Sequence, residues 1–203
     1  MPKPPRFEGA TKPHASAVTV STPLEIRTHN FTGSWNYNKA RGDDTGPLLK
    51  MQGVPWFFRQ AAAHSPVHVN LTMYTDESGF VHLDQEQCTP LYSKVEPRII
   101  TGVWAQVHVE FWGEIKGYSK FVRFSEIEDE FLKEGWLDEG EGDEKGDVVF
   151  SHAESLDRGW IAEQAWGFAV VDGQRTFVRK ISAKKGKEVH KVRMIYEYRT
   201  VQS

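Results

Sequence analysis

The chain has 203 residues, 39% hydrophobic and 26% charged, with a formal net charge of −3, which suits one globular domain with at most a short appendage. No apolar run approaches the ~18 residues of a membrane-spanning helix, and residues 1–20 lack the apolar stretch of a secretory signal. A single cysteine, Cys88, excludes an intramolecular disulfide framework, so the expectation is a cytoplasmic protein without a membrane span.

Seven Trp, twelve Phe and six Tyr exceed what a small core needs, so some of these rings are expected to line a ligand cavity. Charge is unevenly placed. From Ser125 to Asp147 eleven acidic residues face two basic ones, and from Arg175 onward nine basic residues face two acidic ones. Lys180, Lys184, Lys185, Lys187 and Lys191 cluster around an expected hairpin turn. No RNP, zinc-finger or helix-turn-helix pattern accompanies them, so nucleic acid is not an expected partner.

In chain order, residues 1–24 carry prolines without periodicity and read as a flexible tail, leaving 25–203 as the domain. Asn30 to Asn38 mixes aromatic and polar residues at period two, a first strand with Gly33 and Trp35 as G-x-W. Two short helices should follow. Asp43 or Asp44 caps one that ends at Met51, Gly53 supplies a left-handed residue, and Pro55 opens the second, through Ala63.

Strand patterns then run at Val67–Met73, Phe80–Gln87, Arg98–Trp104, Gln106–Ile115, Lys120–Phe124, Val148–Ala153, Trp160–Val171, Gln174–Ser182 and Val189–Thr200, roughly ten strands in all. One helix interrupts them, with Ser125 and Glu128 as a capping box, Phe131 and Leu132 as its apolar face and Gly135 at its end. Residues 138–147 read as a mobile acidic loop.

Asp172-Gly173 between two strands signals a two-residue type I′ hairpin and fixes register. With Val171 opposite Gln174, Phe168 faces Phe177, Trp166 faces Arg179 and Gln164 faces Ile181 on one side of the ribbon. That aromatic side is expected to point inward.

A G-x-W strand, two short helices directly after it, about ten antiparallel strands and the final RMIYEYR together resemble the calycin superfamily, most of all its fatty-acid-binding branch. The opening GSWNYNKARGDD is similar to that of small fungal lipocalin-like proteins associated with secondary metabolism. The resemblance implies a mainly β fold, a single antiparallel up-and-down barrel closed by a helix-turn-helix lid, with a hydrophobic small molecule inside and no cofactor. Fatty-acid-binding proteins hold a carboxylate with an Arg and a Tyr two apart on the last strand. Here the residue two before Tyr196 is Met194, so that clamp is not expected in its usual form.

Arg179, with Tyr196 and Tyr198 on the neighbouring strand, can polarise an oxygenated ligand, or Arg179 can pair with Glu110 or Glu163 as a structural ion pair. His108 and Glu110 share a face and can act as a base and its orienter, although an outer polar face explains them equally. The His82, Asp84, Glu86 row is read as the solvated outer face rather than a metal site, which leaves Leu83, Gln85 and Gln87 inward. Trp35 is expected to plug the barrel base with Arg199 stacked on it.

The cavity lining then comprises Gln164, Trp166, Phe168, Phe177, Met194 and Tyr198 with Leu71 and Met73, while Trp56, Phe57 and Gln60 of the lid lie over the mouth. No G-x-S-x-G, P-loop, G-x-G-x-x-G or H-E-x-x-H occurs. Two functions fit. One is a cofactor-independent cyclase or isomerase of specialised metabolism acting on an apolar, oxygenated aromatic or isoprenoid molecule, with Arg179, Tyr196, Glu110 and His108 as acid–base and polarising groups. The other is a non-catalytic lipid or pigment carrier.

Overall fold

The structure is a computed structural model that describes residues 22–89, 92–139 and 147–199. Most of the expected tail and acidic loop lies outside the described residues. Thr22, Ile26 and Phe31 are buried, and Ile26 and Phe31 pack with Phe168 and Phe177 at one end of the molecule.

Among the described residues ten strands form one antiparallel sheet: β1 (Gly33–Tyr37), β2 (His68–Thr75), β3 (Val81–Thr89), β4 (Tyr92–Ile99), β5 (Ala105–Val109), β6 (Gly113–Val122), β7 (Val148–Ser155), β8 (Ile161–Val171), β9 (Gln174–Lys185) and β10 (Glu188–Tyr198). Their order is β4-β3-β2-β1-β10-β9-β8-β7-β6-β5. The sheet curls into a half-barrel. Its seam lies between β4 and β5, where Ile100 bridges to Ser119 of β6 and the N–H of Gly102 donates to the Ser119 carbonyl at 2.8 Å.

The expected hairpin is present: Val171 opposes Gln174, Asp172 and Gly173 have φ of 52° and 76°, and Trp166 opposes Arg179. Positive φ at both central residues sets the twist of an I′ turn, and this carries the aromatic face inward. Three strand expectations need correction, and the one at 120–124 is the end of β6, which runs from Gly113 and stops at Val122. The strand expected at 98–104 lies earlier, as β4 (Tyr92–Ile99), because pairing with β3 ends at Ile99 and the chain then crosses the seam. The single strand expected at 106–115 breaks at Glu110–Trp112, where Phe111 takes a φ of 69° and turns the chain from β5 into β6.

The helices α1 (Gly46–Met51) and α2 (Trp56–His64) follow β1. Leu48 and Met51 of α1 pack on Trp160, Ile181 and Val192 and close one end of the interior. Gly53 joins them at a φ of 81°, against Arg158, whose Nη1 donates to the carbonyls of Gln52 and Gly53 at 3.0 and 2.9 Å.

The capping box lies elsewhere than expected. Glu126 closes one on Arg123 around a 3₁₀ turn, and α3 (Glu130–Lys133) is capped instead by Asp129, which accepts from the N–H of Phe131 at 2.8 Å. Leu132 and Trp136 of this segment cover the outer face of β7 to β10. No helix among the described residues is long and apolar enough to cross a membrane.

Candidate functional site: a polar cluster inside the barrel

Directly paired residues on neighbouring strands share a face, so register sorts the interior from the exterior. From β1 the inward set includes Trp35 and Tyr37, from β3 Leu83, Gln85 and Gln87, from β9 Phe177, Arg179 and Ile181, and from β10 Met194, Tyr196 and Tyr198. One end is filled: Trp35, Leu71, Phe168 and Phe177 are buried against one another, with Met73 and Tyr198 at their margin. Away from that end the inward side loses its bulk. Ala105 and Val107 are exposed, and Gln87, Gly117, Ala153 and Met194 are half-buried, which leaves the interior accessible on the β3 to β7 side.

Between the filled end and α1 sits a polar cluster. Arg179 is 8% exposed; its Nη1 donates to Gln85 Oε1 at 3.0 Å and to the Tyr196 hydroxyl at 3.3 Å, and its Nη2 to Gln164 Oε1 at 2.7 Å. The Tyr196 hydroxyl in turn donates to Met194 Sδ at 3.8 Å, a weak acceptor that an oxygen would outcompete. The Arg179 guanidinium lies 3.9 Å from the Trp166 ring centroid and that of Arg98 lies 5.1 Å from it. Arg98 donates from Nη2 to Glu96 Oε2 at 3.0 Å. Burial lowers the Arg98 pKa, Glu96 opposes this, and the neighbouring Arg179 charge lowers it further.

Tyr37 stacks obliquely on Tyr196 at 5.5 Å. Burial, reinforced by Tyr196, pushes its pKa up to about 12, so the phenol stays protonated near neutrality. A surface groove of about 490 Å³ runs past the other side of Tyr37 along Lys39, His64 and Glu197, outside the Arg179 cluster.

Of the site residues expected from sequence, Arg179, Tyr196, Gln85, Gln164, Trp166 and Met194 come together. Leu71, Phe168 and Phe177 belong to the packed end, beside Met73 and Tyr198, and Gln87 faces the accessible interior. His108 and Glu110 do not join the cluster. The β5 register puts Val107 inward with Ile115, so His108 points outward, 70% exposed, where it meets Glu114 Oε1 at 2.7 Å; Glu110 is exposed in the turn. Neither that glutamate nor Glu163, which meets His152 at 3.0 Å, partners Arg179.

Trp56 and Phe57 are 65% and 69% exposed on α2, and Gln60 is exposed beside them. The α2 ring that docks is Phe58, at 4.2 Å from Phe111. At the packed end the stacked cation is Arg175 on Phe168 at 3.8 Å; Trp35 meets Phe168, Phe177 and Tyr198 rather than Arg199. The His82 row faces outward, with His82 on Asp76, and no group of metal-ligating residues occurs among the described residues.

Arg98, Glu96 and Tyr37 were not anticipated from the sequence. In β4 the apolar residues Val95 and Ile99 are outside and about half exposed, while Lys94, Glu96 and Arg98 face in, the reverse of the usual alternation. Only the pairing of Leu83 with Arg98 and Gln85 with Glu96 reveals this.

No family model matches the chain. In sequence it is 28% identical over 186 residues to a probable pericyclase, scpY, of Mollisia scopiformis, covering 88% of this chain and 95% of that protein. It is 29% identical over 186 residues to the pericyclase pydY of an Acremonium species, covering 88% and 97%. Among solved structures it is similar to a fatty-acid-binding protein from Drosophila melanogaster brain (12% identity, 83% of this chain and 99% of that one, TM-score 0.52). A secretory abundant heat-soluble protein of Ramazzottius varieornatus is comparable (10% identity, 83% and 94%, TM-score 0.53). The chain therefore has the calycin-type barrel fold of the fatty-acid-binding kind, and its sequence resembles that of fungal pericyclases.

Proposed function

We propose that this protein is a cofactor-independent cyclase or isomerase of specialised metabolism that promotes a pericyclic reaction of an apolar, oxygenated small molecule inside the barrel. The observation that carries this reading is the Arg179 cluster: a buried guanidinium and a phenol hydroxyl 3.3 Å apart on the inward face, with the half-buried Met194 paired to Arg179. The similarity to two pericyclases over nearly their whole length supports the class of reaction. A pericyclic step reorganises bonds within the substrate and needs no external oxidant or reductant. The protein has two tasks: to hold the reacting ends together, and to withdraw electron density from a conjugated carbonyl.

Confinement against Trp166 and Met194 serves the first task, for which orientation can remove roughly 7–11 kcal/mol of barrier. Hydrogen bonds from Arg179 and Tyr196 to the carbonyl oxygen serve the second; preorganised donors of this kind contribute about 10²–10³ in rate. The test is single-turnover product analysis with metabolite extract from the producing host. Wild type should convert one component into an isomer of the same mass. Retention of that component, bound and unchanged, would make the protein a carrier.

A further inference from the structure

The charges that face the barrel interior do not balance. Arg179 and Arg98 both lie on the Trp166 ring, and among the described residues the one carboxylate beside them, Glu96, is engaged with Arg98 at 3.0 Å. Lys94 shares their inward face. Among the described residues no carboxylate lies within ion-pair distance of Arg179, whose acceptors are two amide carbonyls and a phenol, all neutral.

A guanidinium has five N–H donors, and these bonds use three. The Nε–H is left buried with no acceptor. A buried charge without a counter-ion costs several kcal/mol, and an arginine cannot escape by losing its proton. Gln85 and Gln164 hold the side chain in place without neutralising it, where a glutamate at either position would have done both.

We propose that the substrate binds as an anion and supplies the counter-ion that Arg179 lacks, seating an ionised oxygen, enolate or carboxylate, on the free Nε–H edge. This rests on the interior site proposed above and narrows its substrate to acidic molecules. Gln164 and Gln85 are then the residues that reserve the charge for the ligand.

The test uses two fluorescent probes of one ring system, 8-anilinonaphthalene-1-sulfonate, an anion, and N-phenyl-1-naphthylamine, which is neutral. Wild type should bind the anion at least tenfold more tightly. In Gln164→Glu, which keeps the side-chain shape but adds an internal counter-ion, that preference should vanish while the neutral probe changes less than twofold and thermal stability holds or rises. Gln85→Glu should behave alike and serves if the first variant misfolds. Displacement of the anionic probe by cinnamate assigns a carboxylate site and displacement by ionised dimedone an enolate site. Equal affinity for the two probes in wild type, or an anion preference that survives both substitutions, would overturn the proposal. The readout is binding alone, so a protein that binds anions without turnover would sink the enzyme reading and leave this one standing.

Discussion

Arg179 and Trp166 face each other across the β8–β9 hairpin, and the guanidinium lies 3.9 Å from the ring centroid. The Asp172-Gly173 turn fixes that opposition, so a two-residue turn near the surface determines what stands in the middle of the barrel.

Replacing Arg179 by Met should test what the cluster contributes to folding. The substitution removes a buried charge but strands the Gln85 and Gln164 carbonyls, and an unsatisfied buried acceptor costs about 1–3 kcal/mol. The two effects oppose each other, so urea unfolding should give a net change within about 2 kcal/mol of wild type. A loss beyond about 4 kcal/mol would mark Arg179 as a structural keystone.

Arg158 makes two of the side-chain hydrogen bonds at the joint between α1 and α2, beside Arg59 on the Val54 carbonyl and Trp112 on Gln52. Arg158 holds the carbonyls of Gln52 and Gly53, and α2 itself has no buried residue. Arg158→Ala should speed amide hydrogen exchange in residues 46–64 by about tenfold or more, the equivalent of ~1.4 kcal/mol of local opening, and leave β8 and β9 protected. Uniform exchange across the whole chain would show that the lid is not a separate unit.

Gly53→Ala strains the same joint. A Cβ there would stand 2.7 Å from Arg158 Nη1 on a backbone at a φ of 81°, where L-residues pay roughly 1–2 kcal/mol. Chemical denaturation should show a loss of at least about 1 kcal/mol, and an unchanged midpoint would contradict the described turn.

Acid should weaken the fold through Asp129. Burial raises its pKa, but hydrogen bonds from Lys191, Ser182 and the Phe131 backbone N–H outweigh this and hold the carboxyl below its ordinary value. His82 and Phe80 lower Asp76, and Lys116 and His152 lower Glu154, in the same direction. A folded pKa below the unfolded one gives stability that is complete above about pH 5 and is lost as pH falls through the unfolded value of about 4 to the folded one. Denaturation midpoints at pH 7, 4 and 3 should therefore fall in wild type, and Asp129→Asn should flatten the curve between pH 4 and 3.

Much of this fold is legible in the sequence because its signals are local. The I′ dipeptide, the G-x-W strand and the Gly53 joint each rest on a few adjacent residues. The half of the site on β8, β9 and β10 follows from that hairpin and the strand after it: Arg179, Trp166, Gln164 and Tyr196 meet as the pairing implies. The β4 half is hidden, because its charged residues face inward and its Val95 and Ile99 face out, which only pairing with β3 decides. His108 and Glu110 pair through strand parity alone, and β5 ends at Val109, which leaves Glu110 in the turn with Phe111. The exposure of Trp56 and Phe57 depends on how α2 sits, a tertiary matter that no sequence period encodes.

The account stands most directly on turnover. Single-turnover analysis of host metabolite extract with wild type, Arg179→Met and Tyr196→Phe should show an isomer formed by wild type. Its rate constant should fall about 10²–10⁴-fold in Arg179→Met and at least about tenfold in Tyr196→Phe, with substrate affinity less affected. Equal rates in all three proteins, or binding with no product in any of them, would contradict it.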